Sequence, residues 1–386
     1  MREFDIIIYG ASGITAKYVI KEISQYKNLK VALAARTVSK IEYNPENYPT
    51  IQCSIDTIDD ITKRTDILLN CAGPYIKCGE PIVASCIKEG CHYIDITGET
   101  QFIRNIREKY HDEAVEKGIF ILNCAGFDSI PSDISFDVMK RRILQECPVE
   151  NHNTIEIWNY LKTKNFVINY GTWESLILGV SDYYKLPKKT IKQRERKLPK
   201  KLFYSEDRKT HCAIFMGTDH SVVTRSQAAF FEVSQEPKVQ FYIYVELGSL
   251  LNKIIFCIFF AIIMFLIRFQ FGRQLLLKYP GFFTYGFVKR GIEDHQIEIS
   301  SFRMNLEGFY MDSSNNRKKL LMKVDGPDTG YKTTPICMVT AAIIFKDMLE
   351  NQFNSCLFKG GVLTPAMLFR NTDIVEKLKE RGVIIE

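Results

Sequence analysis

The segment Gly10-Ala11-Ser12-Gly13-Ile14-Thr15-Ala16 has the spacing of a phosphate-binding turn. It follows the apolar run Ile6–Tyr9 directly and opens a helical pattern over 13–26. In such a turn Gly10 permits the tight bend, Gly13 lets the backbone approach a pyrophosphate, and Ala16 lets helix and strand pack closely. The helix start then offers unpaired N–H groups and a positive dipole end. On this reading Gly10, Ala11, Ser12, Gly13 and Ile14 bind a dinucleotide; the plainer alternative is a bare strand-to-helix turn. The next apolar run, 31–35, ends on Arg36, with Ser39 and Lys40 beyond it. A site for NAD usually places Asp or Glu there to accept from the ribose 2′-hydroxyl. A guanidinium instead stacks on adenine and pairs with a 2′-phosphate, so Arg36 and Lys40 make NADP the expected cofactor. A solvated surface charge is the other reading of Arg36.

Three further loops follow apolar runs and are predicted to line the same crevice, because ligands sit at the carboxyl ends of parallel strands. The first is Asn70-Cys-Ala72-Gly73-Pro-Tyr75, where Ala72 and Gly73 leave room for a ribose or nicotinamide. The second is Asp95-Ile-Thr-Gly98-Glu99, and the third Gly126-Phe-Asp128-Ser-Ile-Pro-Ser-Asp133. Asp95 and Asp128 are the candidate acid–base groups, with Tyr75 as a donor or packing group. Helix caps and loop anchors are the alternative roles, and Asp133 reads as an early-helix carboxylate favoured by the dipole. There is no P-loop, nucleophile–His–Asp set or metal-ligand spacing. His92, His111 and His220 stand alone and read as structural.

These loops need a frame. Apolar runs at 6–9, 31–35, 67–70, 92–95 and 119–122 alternate with helical patterns, including 80–89 and 101–117. Continuous apolar strands separated by helices mean a parallel sheet covered on both faces. The fold class is therefore α/β, with a Rossmann domain over 1–130. After Pro131 the pattern changes to an α+β substrate domain over 131–332 with a mixed or antiparallel sheet. Its predicted strands lie near 153–161, 219–232, 239–246, 295–309 and 318–325, and its helices near 132–145 and 171–183. A helix over 333–349, with Pro335 in its first turn, begins a segment 333–386 expected to pack back on the first domain.

Two segments of the second domain stand apart. Ile254–Ile267 is fourteen apolar residues between Lys253 and Arg268, followed by aromatic and basic residues up to Arg290. Fourteen helical residues span about 21 Å, short of the roughly 30 Å hydrocarbon core. The run is thus either a core helix or an interfacial anchor rather than a clean crossing. The run 185–201 carries nine basic side chains and one acidic, a local +8 in a chain whose net charge is +6, so the remainder is slightly acidic. A basic cluster plus a moderate apolar element is the two-signal logic of peripheral membrane attachment. A basic loop with no partner is the alternative; nucleic-acid binding fits less well, since aromatics are not interleaved. Eleven cysteines with no C-x-x-C pair argue for a reducing compartment and against a disulfide framework. No basic n-region with a long apolar run opens the chain, so no secretory signal is expected.

The motifs GASGITA, LLNCAGPY, YIDITGE (93–99), CAGFDSIPSD (124–133), VDGPDTGY (324–331) and GGVLTP (360–365) resemble the saccharopine dehydrogenase-like oxidoreductases over nearly the whole chain. The resemblance implies an NADP-binding domain, with cofactor positions at Gly10, Ser12, Gly13, Arg36, Ala72 and Gly73. It also implies membrane or lipid-droplet association through 250–290, and relatives that include trans-acting enoyl reductases of glycolipid synthesis. The basic residues with which true saccharopine enzymes hold a dicarboxylic amino acid are not found. The expected function is an NADPH-dependent oxidoreductase of lipid or glycolipid metabolism, acting on a small-molecule or lipid substrate. It would sit inside the cell on a lipid droplet or the cytosolic face of a membrane, mitochondrial membranes included. A non-catalytic NADP-binding scaffold on a lipid surface and a soluble amino-acid dehydrogenase are the alternatives, and a homodimer is left open.

Overall fold

In chain order the elements are β1 (Phe4–Tyr9), α1 (Ile14–Ile23), β2 (Val31–Ala35), β3 (Thr50–Gln52), α2 (Asp59–Thr62), β4 (Thr65–Asn70), α3 (Tyr75–Glu89), β5 (His92–Asp95), α4 (Thr100–Glu116), β6 (Phe120–Leu122) and α5 (Ile130–Glu146). Then come β7 (Glu156–Lys164), β8 (Ile168–Asn169), α6 (Tyr170–Lys185), β9 (Leu202–Ser205), β10 (Thr210–Ile214), α7 (Asp219–Ser234), β11 (Gln240–Gly248), α8 (Leu250–Ile267), α9 (Gln270–Lys278), α10 (Pro280–Phe283), β12 (Val288–Lys289) and α11 (Asp294–Ile299). The last are β13 (Ser301–Met311), β14 (Arg317–Pro327), α12 (Thr334–Glu350), β15 (Gly361–Leu363), α13 (Pro365–Phe369), α14 (Ile374–Glu380) and β16 (Ile384–Ile385). This computed structural model describes residues 2–185, 200–353 and 356–386. Most of the basic run 185–201 therefore lies outside the described residues.

The chain divides into two compact units, one of Met1–Ile134 with Thr329–Val383, the other of Ser135–Asp328 with Ile384–Glu386. The first holds an all-parallel sheet of order β15-β6-β5-β4-β1-β2-β3. Six strands follow the Rossmann order 3-2-1-4-5-6, so the crevice opens between β1 and β4, where the winding reverses. Strand cores such as Ile6, Ile7, Ile8, Leu68 and Leu69 are fully buried, as strands covered on both faces require. The seventh strand, β15, was not read from its short GGVL sequence. It extends the sheet beside β6, and His111 on α4 accepts the Val362 N–H through Nδ1 at 3.1 Å.

The second unit is built on a mixed sheet of order β16-β14-β13-β7-β11-β10-β9, in which only β7 and β11 run parallel. One predicted strand is corrected here. Residues 219–232 form the helix α7, whose buried residues Val222, Val223, Ser226, Gln227 and Phe230 recur at helical spacing. Polar Ser226 and Gln227 inside the stripe hid the period; Gln227 Oε1 accepts the Val239 N–H at 2.7 Å. The predicted strand 295–309 likewise starts late, since Asp294–Ile299 is helical.

The apolar run is also corrected. It belongs to an 18-residue helix, α8, because Ser249 caps it four residues before Lys253, its side chain accepting the Asn252 N–H at 3.2 Å. A core-helix role is overturned: only 6% of the helix is buried, with Ile267 its one buried residue. That end enters a small separate core of Trp173, Ile177, Leu276, Phe283 and Val288.

Candidate cofactor site

Gly10 lies at φ +80°, and a Cβ there would come within 2.9 Å of both the backbone N and the Cβ of Ala72. Only glycine fits a turn that is left-handed and pressed against the neighbouring loop. Two N–H groups of the turn, on Gly10 and Ala11, bond to Ala34 O at 2.9 and 3.0 Å, and the Gly13 N–H bonds to Gly10 O at 2.9 Å. Those amides are spent on holding the turn. The N–H groups left available to a phosphate are those of Ser12, Ile14 and Thr15, at the start of α1, where a helix has no internal partner for its first amides. Ser12 and Ile14 are exposed there, and Ala11 is buried beneath them. Arg36 is exposed just past the end of β2, one strand along, and Lys40 closes the 3-10 turn Val38–Lys40 behind it.

The other loops are tied into one buried polar network. The Ala72 N–H donates to Asn70 Oδ1 at 2.9 Å, Asn70 Nδ2 donates to the Tyr93 hydroxyl at 2.9 Å, and Tyr93 bonds in turn to Asp95. Asp95 also accepts from the Thr97 and Cys124 N–H groups, both at 3.0 Å, and from Asn123 Nδ2 at 2.7 Å. Complete burial pushes its carboxyl up to about 6, against the pull of these bonds. Glu99 accepts the first two N–H groups of α3, those of Tyr75 at 2.9 Å and Ile76 at 2.7 Å. That cap explains why α3 begins at Tyr75 instead of at residue 80, the start expected from the sequence.

These contacts change the roles assigned to two candidates. Asp95 is enclosed, with both oxygens engaged by its own and neighbouring loops, so the structure gives it a positioning role. Tyr75 is buried and its hydroxyl donates to Asn70 O at 2.9 Å, making it a packing and anchoring group. Asp133 is a third anchor, accepting the Ala366 N–H at 2.8 Å at the start of α13. Asp128 differs. It is half-buried, its carboxyl lies beside Gly98, and desolvation raises it to about 6. His92 is structural, as expected: Nδ1 accepts the Phe120 N–H at 3.1 Å, and burial holds the ring near 4, neutral. All eleven cysteines are free thiols, and no cluster of His, Cys, Asp and Glu able to hold a metal occurs among the described residues.

The sheet order, the glycine cradle and the helix start define a dinucleotide-binding Rossmann unit, and the residues present fit an NADP. Residues 6–122 match the family described as "Saccharopine dehydrogenase NADP binding domain". A human protein named "Saccharopine dehydrogenase-like oxidoreductase" is 32% identical, over 99% of this chain and 96% of that one. A Caenorhabditis elegans "Lipid droplet localized protein" is 26% identical over 99% and 98%. Among solved structures, apo saccharopine dehydrogenase (L-Glu forming) from Saccharomyces cerevisiae superposes with a TM-score of 0.59 over 99% of each chain at 10% identity, a likeness of fold alone. The chain belongs to the saccharopine dehydrogenase-like oxidoreductase family and carries its NADP-binding domain.

Proposed function

We propose that the protein is an NADPH-dependent reductase that works at a lipid surface on a lipid-borne substrate. The observation that carries this reading is the exposed apolar helix α8 in the same chain as an NADP unit. A monomeric soluble fold rarely leaves so large an apolar element uncovered. The lipid-droplet relative supports the location. Bound NADPH supplies a hydride. Ser12, Ile14 and Thr15 hold its phosphates, Arg36 selects the 2′-phosphate, and Ala72 and Gly73 leave the backbone low enough for the ribose. Asp128 holds a proton for the reduced product, since burial keeps its carboxyl protonated to higher pH than an exposed carboxylate.

The test is to incubate the full chain with NADPH and a cell extract split into lipid and aqueous fractions, following cofactor oxidation and the masses of new products. Turnover in the lipid fraction, lost in Gly13→Asp and reduced in Asp128→Asn, is expected. Turnover confined to the aqueous fraction rejects the reading. One observation favours a second reading, a non-catalytic NADP-binding protein on the same surface: Asp95 and Tyr75 are both spent on holding loops. NADPH binding without turnover in either fraction would establish it instead.

A further inference from the structure

The connections of α8 say how it meets a lipid surface. Its length, about 27 Å at 1.5 Å per residue, would suffice for most of a bilayer core of roughly 30 Å, so length alone admits a crossing. Connectivity does not. The helix leaves β11, which is hydrogen-bonded between β7 and β10 in the mixed sheet. Its far end is tied back to the same unit. Ile267 is buried against Trp173 and Ile177 of α6. Arg273 Nη1 on α9 donates to Ile267 O at 2.9 Å, and Trp173 Nε1 donates to Leu276 O at 3.1 Å. The chain then pairs β12 with β8, which lies only a few residues beyond β7. The turn at the far end is tight: a Cβ on Gly272 would lie 2.1 Å from Leu266 O, so α9 folds directly back on the last turn of α8.

Both ends of α8 thus belong to one folded unit on one side. Between and beyond them the surface is apolar, with Leu251, Ile258 and Phe265 exposed on the helix. Phe271, Phe282 and Tyr285 after it are 72%, 78% and 73% exposed. Charge selects the occupant. Residues 247–292 hold six basic side chains, Lys253, Arg268, Arg273, Lys278, Lys289 and Arg290, and no acidic one. Cations flanking a helix that is apolar all round match acyl chains lying beneath anionic headgroups. Aromatics mixed with these cations suit the headgroup level.

We infer that α8 to β12 is a monotopic insertion into a single leaflet of an anionic phospholipid surface, entering and leaving on the same side; this rests on the lipid-surface reading above. One leaflet is about 15 Å of hydrocarbon, so a helix of this length lies along it. Its apolar character on all sides, a mean hydropathy of 2.7, sinks it among the acyl chains, where an α-helix already satisfies its backbone internally. Amphipathic α9, with Arg273, Gln274 and Lys278 among its leucines, then sits at the headgroups. Such an element enters a monolayer over neutral lipid as readily as a bilayer.

The experiment uses the full chain with a site-specific protease sequence inserted at Gly291, an exposed position with nothing packed against it. NADPH binding confirms that the variant folds. The protein is floated with phosphatidylcholine vesicles, with vesicles also containing phosphatidylserine, and with oil droplets coated by the same phospholipids. Flotation with both anionic vesicles and droplets is expected, with the inserted site cut by protease added outside. Replacing Lys278 and Lys289 by Gln should weaken binding to the anionic surfaces by about fivefold per charge and leave NADPH binding unchanged. Flotation on vesicles with the site protected until detergent is added, or failure on droplets alone, overturns the monotopic arrangement but not the lipid reading. Failure to float on any surface, with α8-dependent self-association in its place, overturns both.

Discussion

Replacing Asp95 by Asn should remove a stability cost that appears as pH rises. In the folded chain the Asp95 carboxyl is raised by burial from 3.8 to about 6, despite hydrogen bonds from Thr97, Cys124, Asn123 and Tyr93. A folded value above the unfolded one means that the fold prefers the protonated form. Below about pH 3.8 the group is neutral in both states and costs nothing. Stability is lost as pH climbs from there to about 6, and above that the loss is constant. Each pH unit corresponds to ~1.4 kcal/mol, so the full cost is about 3 kcal/mol. Asn has the same shape, and its oxygen keeps the Thr97 and Cys124 donors. Its new NH2 group meets Asn123, whose buried Oδ1 has no partner in the wild type and can take that bond by an amide turn. The assay is hydrogen exchange on peptides covering β5 and β6, converted to opening free energies between about pH 4 and pH 7. Relative to the variant, the wild type should lose about 3 kcal/mol across that range. Parallel curves for the two proteins would falsify the assignment of a buried, titrating Asp95.

Other expectations bear on the same loops. Arg36→Glu should weaken NADPH binding about 10- to 100-fold, the worth of a charge-assisted pair, with little change for NADH, measured by fluorescence titration. Gly10→Val should abolish NADPH binding and lower the melting temperature, since the new side chain meets Ala72 backbone at a positive φ. Glu99→Ala should destabilise the first unit by about 2–4 kcal/mol in urea unfolding, because two N–H groups at the start of α3 lose their acceptor. Glu99→Gln, which keeps a side-chain acceptor, should recover part of that loss.

The glycine turn and strands β1, β2, β4, β5 and β6 were legible because their signals are local: an apolar run, a bend only glycine permits, then a helix. The roles of Asp95 and Tyr75 were not. Their partners come from β4, β5 and β6, and no spacing along the chain says that Asn123 will reach Asp95. Helix α7 was lost because Val222, Val223 and Phe230 favour strands by type while buried Ser226 and Gln227 break the apolar stripe. The apolar helix is legible but longer than the run between Lys253 and Arg268, because polar Asn252 and Lys253 lie inside it and Ser249 caps it. Glu99 shows the reverse case. It was grouped with the crevice carboxylates, and only the fold reveals that it caps the neighbouring helix.

The seventh strand of the first sheet has a consequence for how the chain is made. Gly361, Val362 and Leu363 pair with Phe120, Ile121 and Leu122, about 240 residues earlier. During synthesis β6 emerges with a bare edge, and the apolar helix α8 leaves the ribosome before that edge is covered. Contacts so far apart in sequence form late, and an uncovered strand edge invites wrong partners. The nascent chain therefore exposes a sticky edge and an apolar helix together, a period in which a chaperone or an early meeting with a lipid surface would decide its yield.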